Sequence, residues 1–547
     1  ALPFPATAAD ARPDPQPERH LVFAHYMTCF FQSVEFHKQE IRLAQQHGID
    51  GFALNCGQWL MGDGKPGNYV TGAEHIYEAA RQLDSGFRLF FSPDLSGIRN
   101  IPRDVGDMVR RFYDHPNQFR YDGRAVISGY GGTPASYAEA IRQLKDQGRE
   151  VCFVPFVGAG RYEMAWSMES VLRIFEGQEH MDGLFRFAAD DHPAGIMRTN
   201  AVARRATQHL GKLYMAGIAP YYASANIRDM RGMHGYGAMW ESIIRDDADW
   251  VEIVTWNDYN EDSNLMPWKW KRFWDKPAFN RDGSYLDVTA HYAAWYRSGR
   301  RPAITQDKLY FAYRNRPAGL RRAWDPEEEK WVDITLVKWP YDQLHDDVRD
   351  RVYVTTFLTA PAELIVTLGG KEHVFEMPAG VGHAEVPMAA GAPHFLLRRW
   401  GRIGKGETEH PHPFRLLSVV GRRSIVTEAT KENSRYVGHH LQNRIWAGAA
   451  ALGDSVRVEA EAGTLHAQAA VAQDADVKAV RNSEADGSGF PVPVKGLGDA
   501  MYNVRIRYRN AGGRDARLTL TADGPPRGEG GFEANPWYIP VWFPPTG

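Results

Sequence analysis

Two acids three residues apart, Asp258 and Glu261, stand in the stretch VEIVTWNDYNED that runs from Val251 to Asp262. Three aliphatic positions lead into it, which is how a buried strand reads when it ends abruptly in polar chemistry. A carboxyl pair set among aromatics suits glycoside hydrolysis. One carboxylic acid protonates the leaving oxygen, and the other, ionised, activates water or attacks the anomeric carbon. Acids in loops also serve as solvated or capping groups, so the spacing alone leaves both readings open. Trp268, Trp270 and Trp274 follow closely and would stack on sugar faces. No G-x-S-x-G elbow is present, and no cysteine stands beside a general base. His192 beside Asp190 and Asp191 lacks a second histidine at ligand spacing, so no metal is expected there.

The elements that must position this chemistry come as a rhythm. Short apolar runs begin at Leu21, Gly51, Arg88, Arg124, Val151, Gly183, Leu213 and Val251, at intervals of roughly 30 residues, the length of a βα unit. Helix-like stretches such as VEFHKQEIRLAQQHG and SYAEAIRQLKDQG lie between them and close on a Gly. Continuous apolar strands alternating with amphipathic helices imply a parallel sheet buried on both faces. Eight such units predict an α/β chain with a (β/α)8 TIM barrel over 21–300. An open doubly wound sheet is the competing arrangement, disfavoured by the count and by the lack of a Gly-rich loop after the first strand.

In such a barrel the active site forms at the C-terminal ends of the strands. That rule selects His25 and Tyr26 from the first run, Asn55 from the second and Asp94 from the third. It adds Glu163, Asp190 and Asp191 after the fifth and sixth, and Tyr221 and Tyr222 after the seventh. The eighth supplies Trp256, Asn257, Asp258 and Glu261.

Beyond the barrel, KLYFAYRNRP, DRVYVTTFLTAP, AELIVTLGG, HVFEMPAG and HFLLRRWG are short strand-like runs bounded by Gly, Pro and Ala. They predict a β-sandwich over 301–402. Residues 403–450 read as a linker with additional strands, and 451–547 as a second β-sandwich without an obvious final strand. The Pro- and Ala-rich segment 1–20 reads as a flexible N-terminus from which a signal has been removed, which points to a secreted or periplasmic protein.

Composition narrows the partners. The chain has 547 residues, 43% of them hydrophobic and 12% aromatic, with 16 Trp. Lys and Arg number 64 against 67 Asp and Glu, a net charge of −3. This balance recommends neither nucleic acid nor an anionic membrane, and aromatic richness without net charge fits a neutral polysaccharide. No apolar run reaches the length of a membrane span, and a monomer is expected. Three cysteines, Cys29, Cys56 and Cys152, make no disulfide framework. Cys29 and Cys56 follow successive strands and are the one candidate pair.

Several stretches together resemble glycoside hydrolase family 71, the α-1,3-glucanases or mutanases: FAHYM, IDGFALN, FRLFFSPDLS, YMAGIAPYY and VEIVTWNDYNED. The likeness continues through KLYFAYRNRP, VYVTTFLTAPAELIVTLGG and MPAGVGHAEVPMAAGAP, so that it covers about Leu21 to Gly401. It implies an inverting hydrolase of α-1,3-linked glucan whose acid and base are an Asp and a Glu in a Trp-Asn-Asp-x-Gly-Glu-Ser motif. Here these are Asp258, assigned as base, and Glu261, assigned as acid. No cofactor is implied for catalysis. His25, Tyr26, Asn55, Asp94, Tyr221, Trp256, Asn257 and Asp262 are then substrate contacts or their supports. The family's Gly and Ser are replaced by Asn260 and Asp262. Asn tolerates the left-handed turn, and Asp262 is expected either to raise the pKa of Glu261 by like charge or to alter a subsite. These departures keep an α-mannan or mixed-linkage α-glucan substrate, or a non-catalytic glycan-binding role, as alternatives. The C-terminal region resembles carbohydrate-binding modules of families 6 and 35. That likeness implies a structural calcium at Glu459 and Glu461, although an alternating strand with two solvent-facing acids has the same pattern.

Overall fold

The computed structural model of the chain describes residues 19–157, 166–189, 191–223, 227–267, 283–320, 322–325, 328–333, 348–399, 414–421, 423–431 and 445–451, with four further strands at 470–474, 477–481, 516–522 and 537–543. All eight apolar runs are strands: β1 (Leu21–Met27), β2 (Gly51–Cys56), β3 (Arg88–Pro93), β4 (Arg124–Ile127), β5 (Val151–Phe153), β6 (Gly183–Phe185), β7 (Leu213–Ile218) and β8 (Trp250–Ile253). Helices connect them: α1 (Val34–Gln46), α2 (Asn68–Leu83), α3 (Ile101–Phe112), α4 (Pro134–Asp146), α5 (Met168–Phe175), α6 (Pro193–His209) and α7 (Gly232–Asp246), with α8 (Ser284–Ser298) after β8. Side chains start several of these helices. Ser33, Asn100 and Ser167 each accept a backbone N–H of the first turn, replacing a partner that the helix itself lacks.

These eight strands run β5-β4-β3-β2-β1-β8-β7-β6, each parallel to its neighbours, and the two-residue strand Arg120–Tyr121 pairs antiparallel with β4. It is a mixed α/β arrangement in which the sheet curls. One residue from each strand (Phe23, Ala53, Phe90, Val126, Cys152, Phe185, Met215 and Trp250) joins a single apolar cluster on the concave side. Phe23 meets Phe90 edge-on at 4.9 Å, and Phe119 meets Trp250 at 5.1 Å. The two end strands also exchange hydrogen bonds near their tips, from Asp182 N–H to the Phe153 carbonyl (2.9 Å) and from Phe185 N–H to the Pro155 carbonyl (2.8 Å).

At the N-terminal end of β8, Asp249 gathers several donors. Its Oδ2 accepts Arg204 Nη1 at 2.9 Å and the Tyr214 N–H at 3.0 Å, while Oδ1 accepts Arg19 Nε at 3.1 Å. Asp249 and Arg204 are both buried.

A second region holds two four-stranded sheets. One runs β13 (Gly380–Pro387), β10 (Arg351–Leu358), β9 (Lys308–Arg314), β16 (Ile445–Ala451); the other runs β12 (Lys371–Met377), β11 (Ala362–Leu368), β14 (His394–Arg399), β15 (Phe414–Val420). They share one core, in which Phe311 stacks on Phe395 at 4.7 Å. Gly369 and Gly370 both have positive φ, 58° and 73°, the conformation a two-residue hairpin between β11 and β12 requires. Asp307 ties the region's entry by accepting both Arg399 Nη atoms (2.9 and 3.0 Å) and the Thr359 N–H and hydroxyl, each at 2.8 Å. Against the parallel sheet's side, Asp229 Oδ2 accepts the Tyr353 hydroxyl (2.7 Å) and the Arg349 N–H (3.0 Å). Gly232 starts α7 where a Cβ would lie 3.0 Å from Ala312 and 3.1 Å from Tyr353.

The additional strands expected within 403–450 are β15 and β16, so the pairing extends past residue 402. β16 pairs with β9. The chain divides into two compact units, 1–450 with 507–547, and 451–506. In the first, Ala516–Ala522 pairs antiparallel with Trp537–Phe543. In the second, Ala470–Asp474 pairs antiparallel with Val477–Arg481. Cys29 and Cys56 are free thiols, a correction to the candidate disulfide. The Cys56 thiol donates to Thr28 Oγ1 at 3.6 Å, and burial pushes the Cys29 thiol up to about 11.

Candidate active site

After β8 the chain turns back through a tightly bonded loop. Trp256 N–H donates to the His25 carbonyl (2.7 Å), Thr255 N–H to the Ser263 carbonyl (3.1 Å), and Leu265 N–H to the Thr255 carbonyl (2.9 Å). Asn257 pins the loop to β1, its Oδ1 accepting the Met27 N–H at 2.7 Å and its Nδ2 donating to the Met27 carbonyl at 3.3 Å. Within this frame, Thr255 Oγ1 accepts the Asp258 N–H (2.8 Å). Asp258 Oδ1 then accepts the N–H groups of Asn260 (3.0 Å) and Glu261 (3.1 Å), a local turn of the kind Asp side chains favour. The sequence therefore fixes one carboxylate oxygen of Asp258 by its own next turn. Glu261 is held from the β7 side, where its carbonyl accepts the Ala223 N–H (2.8 Å) and its Oε1 accepts the Tyr222 hydroxyl (3.4 Å).

The two carboxyls differ in what surrounds them. Burial raises the pKa of Asp258, but the N–H groups of Glu261 and Asn260 and the nearby His25 favour its charged form. Burial, then the charge of Asp258, push Glu261 up to about 8; Asp94 adds to the rise and Tyr222 opposes it. Two desolvated acids in one site do not both ionise readily, and the backbone N–H donors favour the charge on Asp258. The pair therefore favours the charge on Asp258 and the proton on Glu261.

Beneath them, a polar string occupies the concave face. His25 and Asn55 each lie two residues beyond an inward-facing core residue, Phe23 and Ala53, so strand alternation turns them inward too. Asn55 Nδ2 lies 3.1 Å from His25 Nε2, and Glu252 Oε1 lies 2.6 Å from His25 Nδ1. All three are buried. The His25 ring meets Phe187 edge-on at 5.2 Å, and Phe187 packs on the half-exposed Tyr130 at 4.8 Å. Neither Glu252 nor Tyr130 was selected from the sequence. For Glu252 the signal was present: an acid between Val251 and Ile253 shares its strand face with Trp250. Asp94, partly exposed, uses Oδ1 to accept the Ser96 N–H (2.9 Å) and hydroxyl (2.6 Å).

Other selected residues lie elsewhere. Tyr26 and Trp256 are fully buried and both donate to Glu40 on α1, the hydroxyl to Oε2 at 2.8 Å and the indole to Oε1 at 2.9 Å. Being next to His25, Tyr26 faces the opposite side of β1, so neither aromatic reaches the mouth. We expect Tyr26→Phe to cost about 1–2 kcal/mol in a denaturant melt and to leave KM unchanged. Tyr221 is buried beside Arg314. Asp262 turns its Oδ2 to the Ile445 N–H of β16 at 3.0 Å and is itself 1% exposed, so it supports the loop and offers no subsite surface. The charges that raise Glu261 come from Asp258 and Asp94 instead. His192 pairs with Asp191 at 2.6 Å, and no group of three or more potential ligands that could hold a metal occurs among the described residues. Glu163, Asp190, Trp268, Trp270, Trp274, Glu459 and Glu461 lie outside the described residues.

Residues 18–408 match the sequence model of glycosyl hydrolase family 71. A glucan endo-1,3-alpha-glucosidase of Schizosaccharomyces pombe is 27% identical over 410 residues, covering 70% of this chain and 88% of that protein. A mutanase of Penicillium rubens is 25% identical over 431 residues, covering 73% of this chain and 86% of the mutanase. Among solved structures, a GH99 endo-alpha-mannosidase from Bacteroides thetaiotaomicron aligns with a TM-score of 0.39 and 16% identity, over 52% of this chain and 99% of that one.

Proposed function

The chain belongs to glycosyl hydrolase family 71 and is a glycoside hydrolase; from that premise we propose that it cleaves α-1,3-glucosidic bonds of an α-glucan with inversion, Asp258 acting as base and Glu261 as acid. What supports the assignment is the unequal pair: two backbone N–H groups bond Asp258 and favour its charged form, while burial and the charge of Asp258 raise Glu261. Asp258 takes a proton from water as that water's oxygen attacks the anomeric carbon. Glu261 gives its proton to the departing glycosidic oxygen as the bond breaks. The α-linkage then yields a β-anomer as first product. Proton NMR of an α-1,3-glucan digest tests this directly, since an α-anomer formed first would rule out inversion. A panel of other α-linked oligosaccharides tests the linkage, because preference for an α-mannoside would displace the glucan reading.

The pH profile follows from the same pair. Activity requires Glu261 protonated, so kcat/KM is expected to fall as pH rises through about 8, the value to which Glu261 is raised. It falls again at acid pH as Asp258 takes a proton, above the usual carboxylate range because Asp258 is buried. Initial rates across pH check both limbs, and Glu261→Gln should abolish the alkaline one.

This reading also takes the curled sheet as a closed (β/α)8 barrel over 21–300, supported by the hydrogen bonds from Asp182 to Phe153 and from Phe185 to Pro155. The paired four-stranded sheets are then a β-sandwich. The C-terminal region is a carbohydrate-binding module, to which the calcium at Glu459 and Glu461 belongs, and the protein is a secreted or periplasmic monomer. No helix among the described residues is long and apolar enough to cross a membrane.

A further inference from the structure

Glu252 is a carboxylate with 0% exposure inside a parallel sheet, where an acid persists only if it is partnered. Its Oε1 lies 2.6 Å from His25 Nδ1, and its Oε2 has no hydrogen-bond partner among the described residues. Asn55 Nδ2, a donor, lies 3.1 Å from the other ring nitrogen of His25. Since Nε2 must accept from Asn55, the ring proton sits on Nδ1 and is donated to Glu252. His25 stands close enough to Asp258 to act on its charge, and its carbonyl receives the Trp256 N–H that starts the catalytic loop.

We propose that Glu252 is a positioning residue for hydrolysis: by accepting the Nδ1 proton it fixes the tautomer and plane of His25, and through His25 and Asn55 it shapes the floor on which the Asp258–Glu261 pair meets the sugar. Glu252 touches no substrate; it acts through the imidazole, as an orienting carboxylate does behind a functional histidine. An apolar residue at 252 would free the ring to rotate or change tautomer, and Asn55 would lose its acceptor.

This proposal rests on the hydrolase reading, so its test has an arm that needs no activity. Long-range proton–nitrogen NMR of the imidazoles, with His25 identified by its loss in His25→Asn, should show Nδ1 protonated and Nε2 bare. That pattern should persist in Glu252→Gln, whose amide oxygen still accepts, and be lost in Glu252→Leu. On glucan, Glu252→Leu should lower kcat by about 10²-fold with KM nearly unchanged, and Glu252→Gln should recover most of it. A His25 protonated on Nε2 in the wild type would overturn the proposal. So would an unchanged kcat in Glu252→Leu, or an equal loss in both variants, which would make charge rather than orientation the contribution. Should Glu252→Leu fail to fold, the wild-type and Glu252→Gln spectra and rates decide. Should the wild type release no sugar, the hydrolase reading has failed and the tautomer alone judges Glu252.

Discussion

Asp258→Asn and Glu261→Gln are each expected to lower kcat/KM on α-1,3-glucan by about 10²–10⁴-fold, the usual contribution of a placed acid or base. The two losses should differ in kind. Asp258→Asn keeps an oxygen that can accept the N–H groups of Asn260 and Glu261, so the turn survives and only the proton acceptor is gone. Glu261→Gln keeps an acceptor for the Tyr222 hydroxyl but has no proton to give. An α-glucosyl oligosaccharide carrying a dinitrophenyl leaving group needs no protonation. It should restore turnover in Glu261→Gln and leave Asp258→Asn slow. Rescue in the opposite variant would exchange the two roles, and near-wild-type rates in both would remove the pair from catalysis.

Asp249→Ala should produce the largest loss of stability, on the order of 3 kcal/mol or more, because it leaves the buried Arg204 guanidinium without its closest counter-charge. It also strips the Tyr214 N–H of an acceptor at the start of β7. Asp249→Asn should cost less, since an amide oxygen can still serve that N–H. Asp249 sits at the end of β8 opposite the loop that carries Asp258 and Glu261. The folded fraction of either variant should therefore keep its kcat/KM well below the melting transition. Urea unfolding alongside initial rates separates the two effects, and a coupled loss of rate in the folded protein would contradict this placement.

The strands were legible because parallel strands buried on both faces must be apolar throughout, and eight such runs stand out in the chain. The ends of those runs pointed to His25, Asn55, Asp258 and Glu261, and these stand near one another: Asn55 meets the His25 ring, His25 acts on the charge of Asp258, and Asp258 on Glu261. What position in the run could not say was which face each residue takes. His25 and Tyr26 are neighbours, yet one joins the polar string and the other bonds Glu40 behind the sheet. Asking which residues share a face with Phe23 and Trp250 would have separated them and would have found Glu252. Trp256 misled for another reason: the loop's own hydrogen bonds turn its indole toward α1. β13 was missed because GVGHAEVP mixes small and polar residues and buries few of them. The partner of Asp262 lies 183 residues further along, and no local pattern connects the two.

That last bond bears on the order in which the enzyme comes into being. A chain made from its N-terminus has all eight parallel strands and both acids long before residue 445 exists. Until then the residue beside Glu261 lacks the backbone donor that holds it. A fragment cut after residue 300 would carry Asp258 and Glu261, yet would miss the Ile445 N–H that Asp262 accepts beside them. A fragment that ends with β16 would carry that bond as well.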